Sequence, residues 1–188
     1  MSDRRSEIDK AKSLITAGVS RQSGIWADLG SGDGVYTAAL VELLEPGSSI
    51  YAVDQSREAL QSLEGRFHRE YVDFNNLITM QADFRADLDL PGLDGIMMAN
   101  SLHFVEDKES ALSNIIKLLK PNGCLIVVEY NTKRGNRWVP YPIGEKEFLE
   151  LTQALGMQQG RILNKIPSSF LGEFYAGMAV IGNGSAYQ

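Results

Sequence analysis

Cysteine is almost missing from these 188 residues, with Cys124 alone. No intramolecular disulfide can form, and no cysteine spacing for a metal exists. Histidine is nearly as scarce, with only His68 and His103, so no bound metal is expected. Long apolar runs are absent, and none approaches the length of a bilayer-spanning helix. The opening Met1-Ser-Asp-Arg-Arg-Ser-Glu-Ile8 lacks the apolar core of a signal peptide. The expectation is a cytoplasmic protein with no membrane partner. Positive charge is also short: 18 Lys and Arg stand against 24 Asp and Glu, a formal net charge of −6. Such a surface repels phosphate backbones, which argues against sequence-blind nucleic-acid binding. Two local basic clusters remain, Arg4, Arg5, Lys10 and Lys12 near the start and Lys133, Arg134 and Arg137 later. Both read as solvated surface.

No repeat, low-complexity tract or linker interrupts the chain, and its length suits one domain over residues 1–188. Ser6–Gly18 reads as an amphipathic helix, with Ile8, Ala11 and Ile15 on one face, Ser6 as its cap and Gly18 as its stop. Strands then alternate with helices. Gly24–Leu29, Ser49–Val53, Leu77–Ala82, Gly95–Ala99 and Leu125–Glu129 read as strands. Gly34–Leu44, Arg57–Phe67 and Lys108–Lys120 read as helices, the last stopped by Pro121-Asn-Gly123. Cys124 opens the apolar run to Val128, where a small thiol packs as core. Met97 and Met98 read as core in the same way. This order predicts an α/β fold, a doubly wound Rossmann-like sheet with right-handed crossovers. Asn131–Ile143 is irregular, Glu145–Leu155 is a helix, and Gln158–Ile166 with Glu173–Ile181 form a hairpin at one edge. The sheet is thus seven-stranded, mostly parallel, with an antiparallel edge strand.

The most informative stretch is Trp26-Ala-Asp-Leu-Gly-Ser-Gly-Asp-Gly-Val-Tyr-Thr37. It falls at a strand-to-helix turn, where a ligand meets backbone N–H groups. Gly30, Gly32 and Gly34 allow the backbone to approach that ligand closely. The spacing departs from the dinucleotide fingerprint, which wants a glycine where Val35 stands. Asp28, two residues before the first glycine, disfavours a pyrophosphate and favours a cation. Asp54 ends the second strand, where a carboxylate can accept hydrogen bonds from two ribose hydroxyls. Asp83 and Phe84 end the third, where an acid can accept from an adenine amino group beside an aromatic ring. Asp28 and Asp54 also have plainer readings as caps, and Asp83 as part of an acidic loop.

Asp28-Leu-Gly-Ser-Gly-Asp-Gly34, Ala-Val-Asp54, Gln-Ala-Asp83-Phe, Asp94-Gly-Ile-Met-Met-Ala-Asn-Ser-Leu-His103 and Leu119-Lys-Pro-Asn-Gly123 form an ordered set. Over residues 24–130 it resembles class I methyltransferases dependent on S-adenosylmethionine (SAM). The resemblance implies SAM as cofactor. It implies that Asp28, Gly30, Ser31, Gly32 and Gly34 hold its methionine part, with Asn100 nearby. It places the ribose at Asp54 and Gln55 and the adenine at Asp83 and Phe84.

Methyl transfer is an in-line displacement that needs a base only for a nucleophile that keeps its proton. His103 is one candidate base, although its segment reads equally as packing. Glu129 and Tyr130, at the end of the fifth strand, are the others. Trp138 and Tyr141 read either as an apolar lid or as anchors of a long loop. No Asp/Asn-Pro-Pro-Tyr/Phe follows the fourth strand, and no Pro-Cys pair occurs; both absences argue against nucleobase methylation. A small-molecule acceptor is expected. A non-catalytic SAM-binding subunit and a nicotinamide oxidoreductase are the rival readings.

Overall fold

The protein is described here by a computed structural model covering residues 2–19 and 23–183. Its order is α1 (Ser2–Ile15), β1 (Ile25–Leu29), α2 (Val35–Leu43), β2 (Ser49–Asp54), α3 (Arg57–Glu70), β3 (Leu77–Gln81) and β4 (Leu93–Ala99). There follow α4 (Lys108–Ile115), β5 (Leu119–Tyr130), α5 (Glu145–Ala154), β6 (Gln158–Pro167) and β7 (Glu173–Val180). Short 3₁₀ turns at Leu102–Phe104 and Ile116–Leu118 flank α4.

All seven strands share one sheet in the order β3-β2-β1-β4-β5-β7-β6. The pairings from β3 through β5 are parallel, and β7 is antiparallel to both β5 and β6. The expected hairpin closes this edge, with β7 one place in and β6 outermost. The chain winds outward from β1 to β3, then returns to lay β4 on the other side of β1. That reversal opens a crevice beyond the carboxyl ends of β1 and β4, where open α/β sheets take their ligands.

Strand periodicity sorts the core into two layers. On β5, Cys124, Ile126 and Val128 pack toward the α1 and α2 face, with Trp26, Leu14 and Leu40. Leu125 and Val127 pack toward the α4 and α5 face, with Leu112 and Phe148. Trp26 fits because Gly95 on β4 has no side chain; a Cβ there would stand 2.5 Å from the indole. Emptying that position with Trp26→Ala costs about 3–5 kcal/mol. Met97 and Met98 are fully buried. Cys124 is buried too, and burial pushes its thiol up to about 12, which leaves it inert.

The largest departures from the sequence reading lie at the start of α1 and after α4. The helix of α1 starts at Ser2 and not at Ser6. Arg4 reaches Asp33 at 2.8 Å and Arg5 reaches Glu42 at 2.6 Å, so the extra turn is tied down from outside. The helix over Lys108–Lys120 ends earlier, at Ile115, with one further 3₁₀ turn. Pro121-Asn122-Gly123 then bulges inside β5 and does not stop a helix. Between the paired positions Leu93/Leu119 and Gly95/Cys124, one residue of β4 (Asp94) faces four of β5 (Lys120 to Gly123). Asn122 has φ +64, and its N–H donates to Ile181 O at 3.1 Å. A proline and a left-handed asparagine suit a bulge, since a bulge leaves ladder positions unpaired.

Candidate active site

The glycine loop is shaped by the end of β2. Gly30 N–H and Ser31 N–H both donate to Val53 O, at 2.8 and 3.1 Å. Gly32 N–H donates to Asp54 Oδ2 at 2.8 Å, and Ser56 N–H donates to Asp54 Oδ1 at 2.8 Å. Asp54 therefore stitches the loop to the start of α3, while Ser56 itself caps that helix. Each carboxylate oxygen keeps a spare acceptor position. Gly30 has φ +79, and a Cβ there would stand 2.5 Å from Ser101 Cβ. Ser101, after β4, donates through Oγ to Leu29 O at 2.8 Å. The ends of β1, β2 and β4 are thus locked together around one loop.

Two clefts meet over Gly30, Gly32 and Asn100. One, of about 480 Å³, is lined further by Asp54, Gln55, Phe84, Arg85 and Phe104. The other, of about 620 Å³, runs under α1 and is lined by Lys10, Asp28, Ser31, Tyr36 and Phe174.

Asp28 points from β1 toward α2. It is 1% exposed, and Thr37 Oγ1 donates to its Oδ2 at 2.6 Å. Burial raises its pKa to about 7; the Thr37 bond opposes this and the Asp54 charge adds to it. Its Oδ1 has no partner, and neither has the Oγ of Ser31 or the Oδ1 of Asn100. All three enclosed atoms belong to residues lining the second cleft. Asn100 also carries φ +52, a left-handed conformation held by its N–H to Val128 O at 2.9 Å. Unpaired buried polar atoms are costly, and strained backbone concentrates at functional positions.

Asp83 stands apart from this arrangement. Its carboxylate is forked by Arg85, with Nε and Nη2 donating at 2.6–3.0 Å. The burial working on it is outweighed by those Arg85 bonds, which hold the carboxyl below its usual range. Phe84 lines the first cleft and Asp83 does not; Arg85 takes that place.

The three candidate bases divide between the faces of the sheet. Glu129 follows Leu125 and Val127 to the α4 and α5 face, where it is fully buried. There its Oε2 lies 2.7 Å from His103 Nδ1, and its Oε1 accepts from His103 N–H at 3.1 Å. A carboxylate accepting twice assigns the proton to Nδ1 and leaves the lone pair on Nε2. That nitrogen has no partner among the described residues, yet it is not one of the fully enclosed polar atoms. Tyr130 turns to the opposite face and stacks on Phe174, with ring centroids 4.3 Å apart. Burial and the nearby Glu129 charge push its pKa up, so it is the poorer base.

Ser101, Phe104, Arg85 and Thr37 were not singled out from sequence. Thr37 had a readable signal, a hydroxyl in the first turn after the loop and nine residues from Asp28. Ser101 had one too, next to Asn100. Trp138 and Tyr141 are exposed, at 60% and 38%. Tyr141 N–H donates to His103 O at 3.0 Å, which anchors the irregular segment beside the 3₁₀ turn. Among the described residues, no cluster of His, Cys, Asp or Glu can hold a metal. None of the described helices is long and apolar enough to cross a membrane.

A family model described as a methyltransferase domain matches residues 27–125. An uncharacterized methyltransferase of Mycobacterium bovis is 31% identical over 114 residues, which cover 59% of this chain and 54% of that protein. The chain thus spans about half the length of the curated relatives it matches. The N-methyltransferase NodS of Bradyrhizobium japonicum superposes with a TM-score of 0.75 at 17% identity, over 97% of this chain and 99% of that one. YcgJ of Bacillus subtilis gives 0.74 at 12% identity, over 96% and 100%. At these identities the two structures show a shared fold.

Proposed function

The chain belongs to the methyltransferase-domain family, whose methyl donor is SAM, and from that premise we propose that it methylates a small molecule, with His103 as proton acceptor. The observation that carries this reading is the trio of enclosed, unpartnered atoms on Asp28, Ser31 and Asn100.

Two of those atoms are acceptors, which suits an α-ammonium, and the buried carboxylate of Asp28 supplies a matching charge. The same carboxylate disfavours the pyrophosphate of a nicotinamide cofactor. Asp54 offers its two spare acceptor positions to a ribose diol, with Gln55 beside it in the cleft lining. Phe84 offers a ring face or edge to an adenine, and Asp83 must release one Arg85 bond to join it. The residues therefore fit the cofactor. When bound, SAM supplies an electrophilic methyl group on a sulfonium.

On the acceptor side, Glu129 acts as a positioning residue. It fixes the His103 ring and keeps its proton on Nδ1, so that Nε2 is free to take a proton from the acceptor. The imidazolium formed is then balanced by the Glu129 charge. Clefts of about 480 and 620 Å³ suit a cofactor and a small molecule better than a duplex or a folded protein.

The first test is calorimetric titration with S-adenosylhomocysteine and, in parallel, with NAD. Micromolar binding of the former alone is expected, and binding of NAD alone overturns the reading of the loop. The second test supplies SAM with either the low-mass or the macromolecular fraction of a cell extract. Release of S-adenosylhomocysteine is expected with the low-mass fraction. Release with the macromolecular fraction alone removes the small-molecule assignment.

A further inference from the structure

The described residues expose six large hydrophobic side chains, and four of them are aromatic: Phe104, Trp138, Tyr141 and Phe170. Scattered exposed apolar groups need no explanation, but a gathered set does. These four lie on three separate connections, after β4, after β5 and between β6 and β7, all at the carboxyl end of the sheet. The buried His103 ring and the half-buried Tyr130 ring link Phe104 to Phe170 in one strip. Phe170 lies 5.8 Å from Tyr130, Tyr130 lies 6.2 Å from His103, and His103 lies 4.3 Å from Phe104. Tyr141 is hydrogen-bonded to the backbone of the same His103.

The connection that carries Trp138 and Tyr141 is also the most basic stretch of an acidic protein. Residues 131–144 contain Lys133, Arg134 and Arg137 and no acid. All three cations are exposed, and none forms an ion pair among the described residues. What sets the segment apart is that these three cations fall within five residues, with no acid beside them in the chain. The loop is a formed turn. Asn136 Oδ1 accepts from the N–H groups of Trp138 and Val139 at 2.8 and 2.9 Å, and Val139 is buried beneath it. Arg137 is thereby held over the Trp138 ring, 4.5 Å from its centroid. An exposed aromatic strip beside unpaired cations matches a ligand with an apolar body and a negative end.

We propose that the methyl acceptor is a small aromatic or similarly flat apolar anion. Its ring system rests on Phe104, Tyr130 and Phe170, and its carboxylate, sulfonate or phosphate is read by Lys133, Arg134 and Arg137. This rests on the methyltransferase reading above and deepens it.

The test uses two fluorescent probes that differ by one charged group, 1-anilinonaphthalene-8-sulfonate and neutral N-phenyl-1-naphthylamine. Each is titrated into the full chain saturated with S-adenosylhomocysteine. The anionic probe is expected to bind at one site, about tenfold tighter than the neutral one, with the gap closing at 0.5 M salt, roughly 4 Å of screening length. The triple variant K133A/R134A/R137A is expected to lose that tenfold preference and to keep its affinity for the neutral probe. The double variant F104A/F170A is expected to weaken both. Equal binding of the two probes to the wild type overturns the proposal, as does a preference that survives the triple variant. Binding to anionic phosphatidylglycerol vesicles without discrimination between the soluble probes also overturns it, in favour of a lipid surface. Failure to bind S-adenosylhomocysteine at the outset is a different result, which removes the underlying reading.

Discussion

Thr37 Oγ1 donates to Asp28 Oδ2 at 2.6 Å and leaves Oδ1 of the same carboxylate enclosed and unpartnered. One hydroxyl on α2 thus satisfies half of a buried acid and aims the other half at the glycine-loop cleft. Burial, against the pull of Thr37, raises this acid to about 7. A ligand ammonium needs the ionised form. Affinity for S-adenosylhomocysteine is therefore expected to rise as pH climbs from 5 to 7, by up to about tenfold per unit, and to level off above. Asp28→Asn is expected to bind weakly and without that slope. Calorimetry across pH checks both. The unliganded protein has the opposite slope. Between about 4 and 7 the folded chain keeps a proton that the unfolded chain has lost, so this group lowers stability as pH rises.

Glu42 ties α1 to α2. Burial works against its ionised form, but hydrogen bonds from Arg5, Lys12 and Tyr71 hold it down to about 2. A depressed acid stabilises the fold above its unfolded pKa and loses that contribution as pH falls toward 2. Glu42→Gln is expected to cost about 1–2 kcal/mol at pH 7, discounted for partial exposure, and progressively less as pH falls toward 2. Urea unfolding at pH 7 and at pH 3 is the measurement, and the cost is expected to shrink at the lower pH.

Gly30→Ala places a methyl 2.5 Å from Ser101 Cβ at a φ of +79. Both the overlap and the left-handed backbone penalise it. A loss of about 2–3 kcal/mol in stability is expected, with S-adenosylhomocysteine binding weakened at least tenfold. Gly32→Ala is a control for crowding, since a Cβ there meets nothing within 4 Å, although its φ of +53 is also left-handed. Its cost is expected to be about 1 kcal/mol. Equal losses for the two variants would show that backbone conformation alone, not the contact with Ser101, governs the loop.

The His103–Glu129 pair predicts a tautomer. Nitrogen NMR of His103 is expected to show the proton on Nδ1 in the wild type and a mixture in Glu129→Gln. The same variant is expected to bind S-adenosylhomocysteine normally and to lose 10²–10⁴-fold in turnover once an acceptor is known. A wild-type signal with the proton on Nε2 would sink the proposed role of His103.

Most of the fold could be read from sequence because its strands are bounded by strong punctuation. Glu45-Pro-Gly47 stops α2, and Ser56 caps α3 by accepting from Ala59 N–H at 3.1 Å. The glycine loop was legible for the same reason, since three glycines with positive φ are hard to mistake. What escaped was tertiary. The Pro-Asn-Gly of residues 121–123 is a helix stop by local rules, yet here it serves a strand paired on both sides. Pairing was equally invisible: Asp83 and Arg85 are two residues apart, but nothing in that spacing says they form a fork. Glu129 and Tyr130 were candidates for one role because they are neighbours, and neighbours on a strand face opposite ways.

That alternation gives the bulge at Pro121–Gly123 a significance out of proportion to its place. It works as a phase shifter. Five residues of β5 pass while β4 advances by two, an excess of three, and an odd excess inverts which side chains look up and which look down. Every later residue of the strand inherits that choice, down to the acid that meets His103 and the ring that meets Phe174. An insertion of one residue that the bulge did not absorb would exchange the two, handing the phenol to the histidine and the carboxylate to the aromatic stack. The chemistry at one end of the sheet is keyed by a kink about 20 Å away at the other.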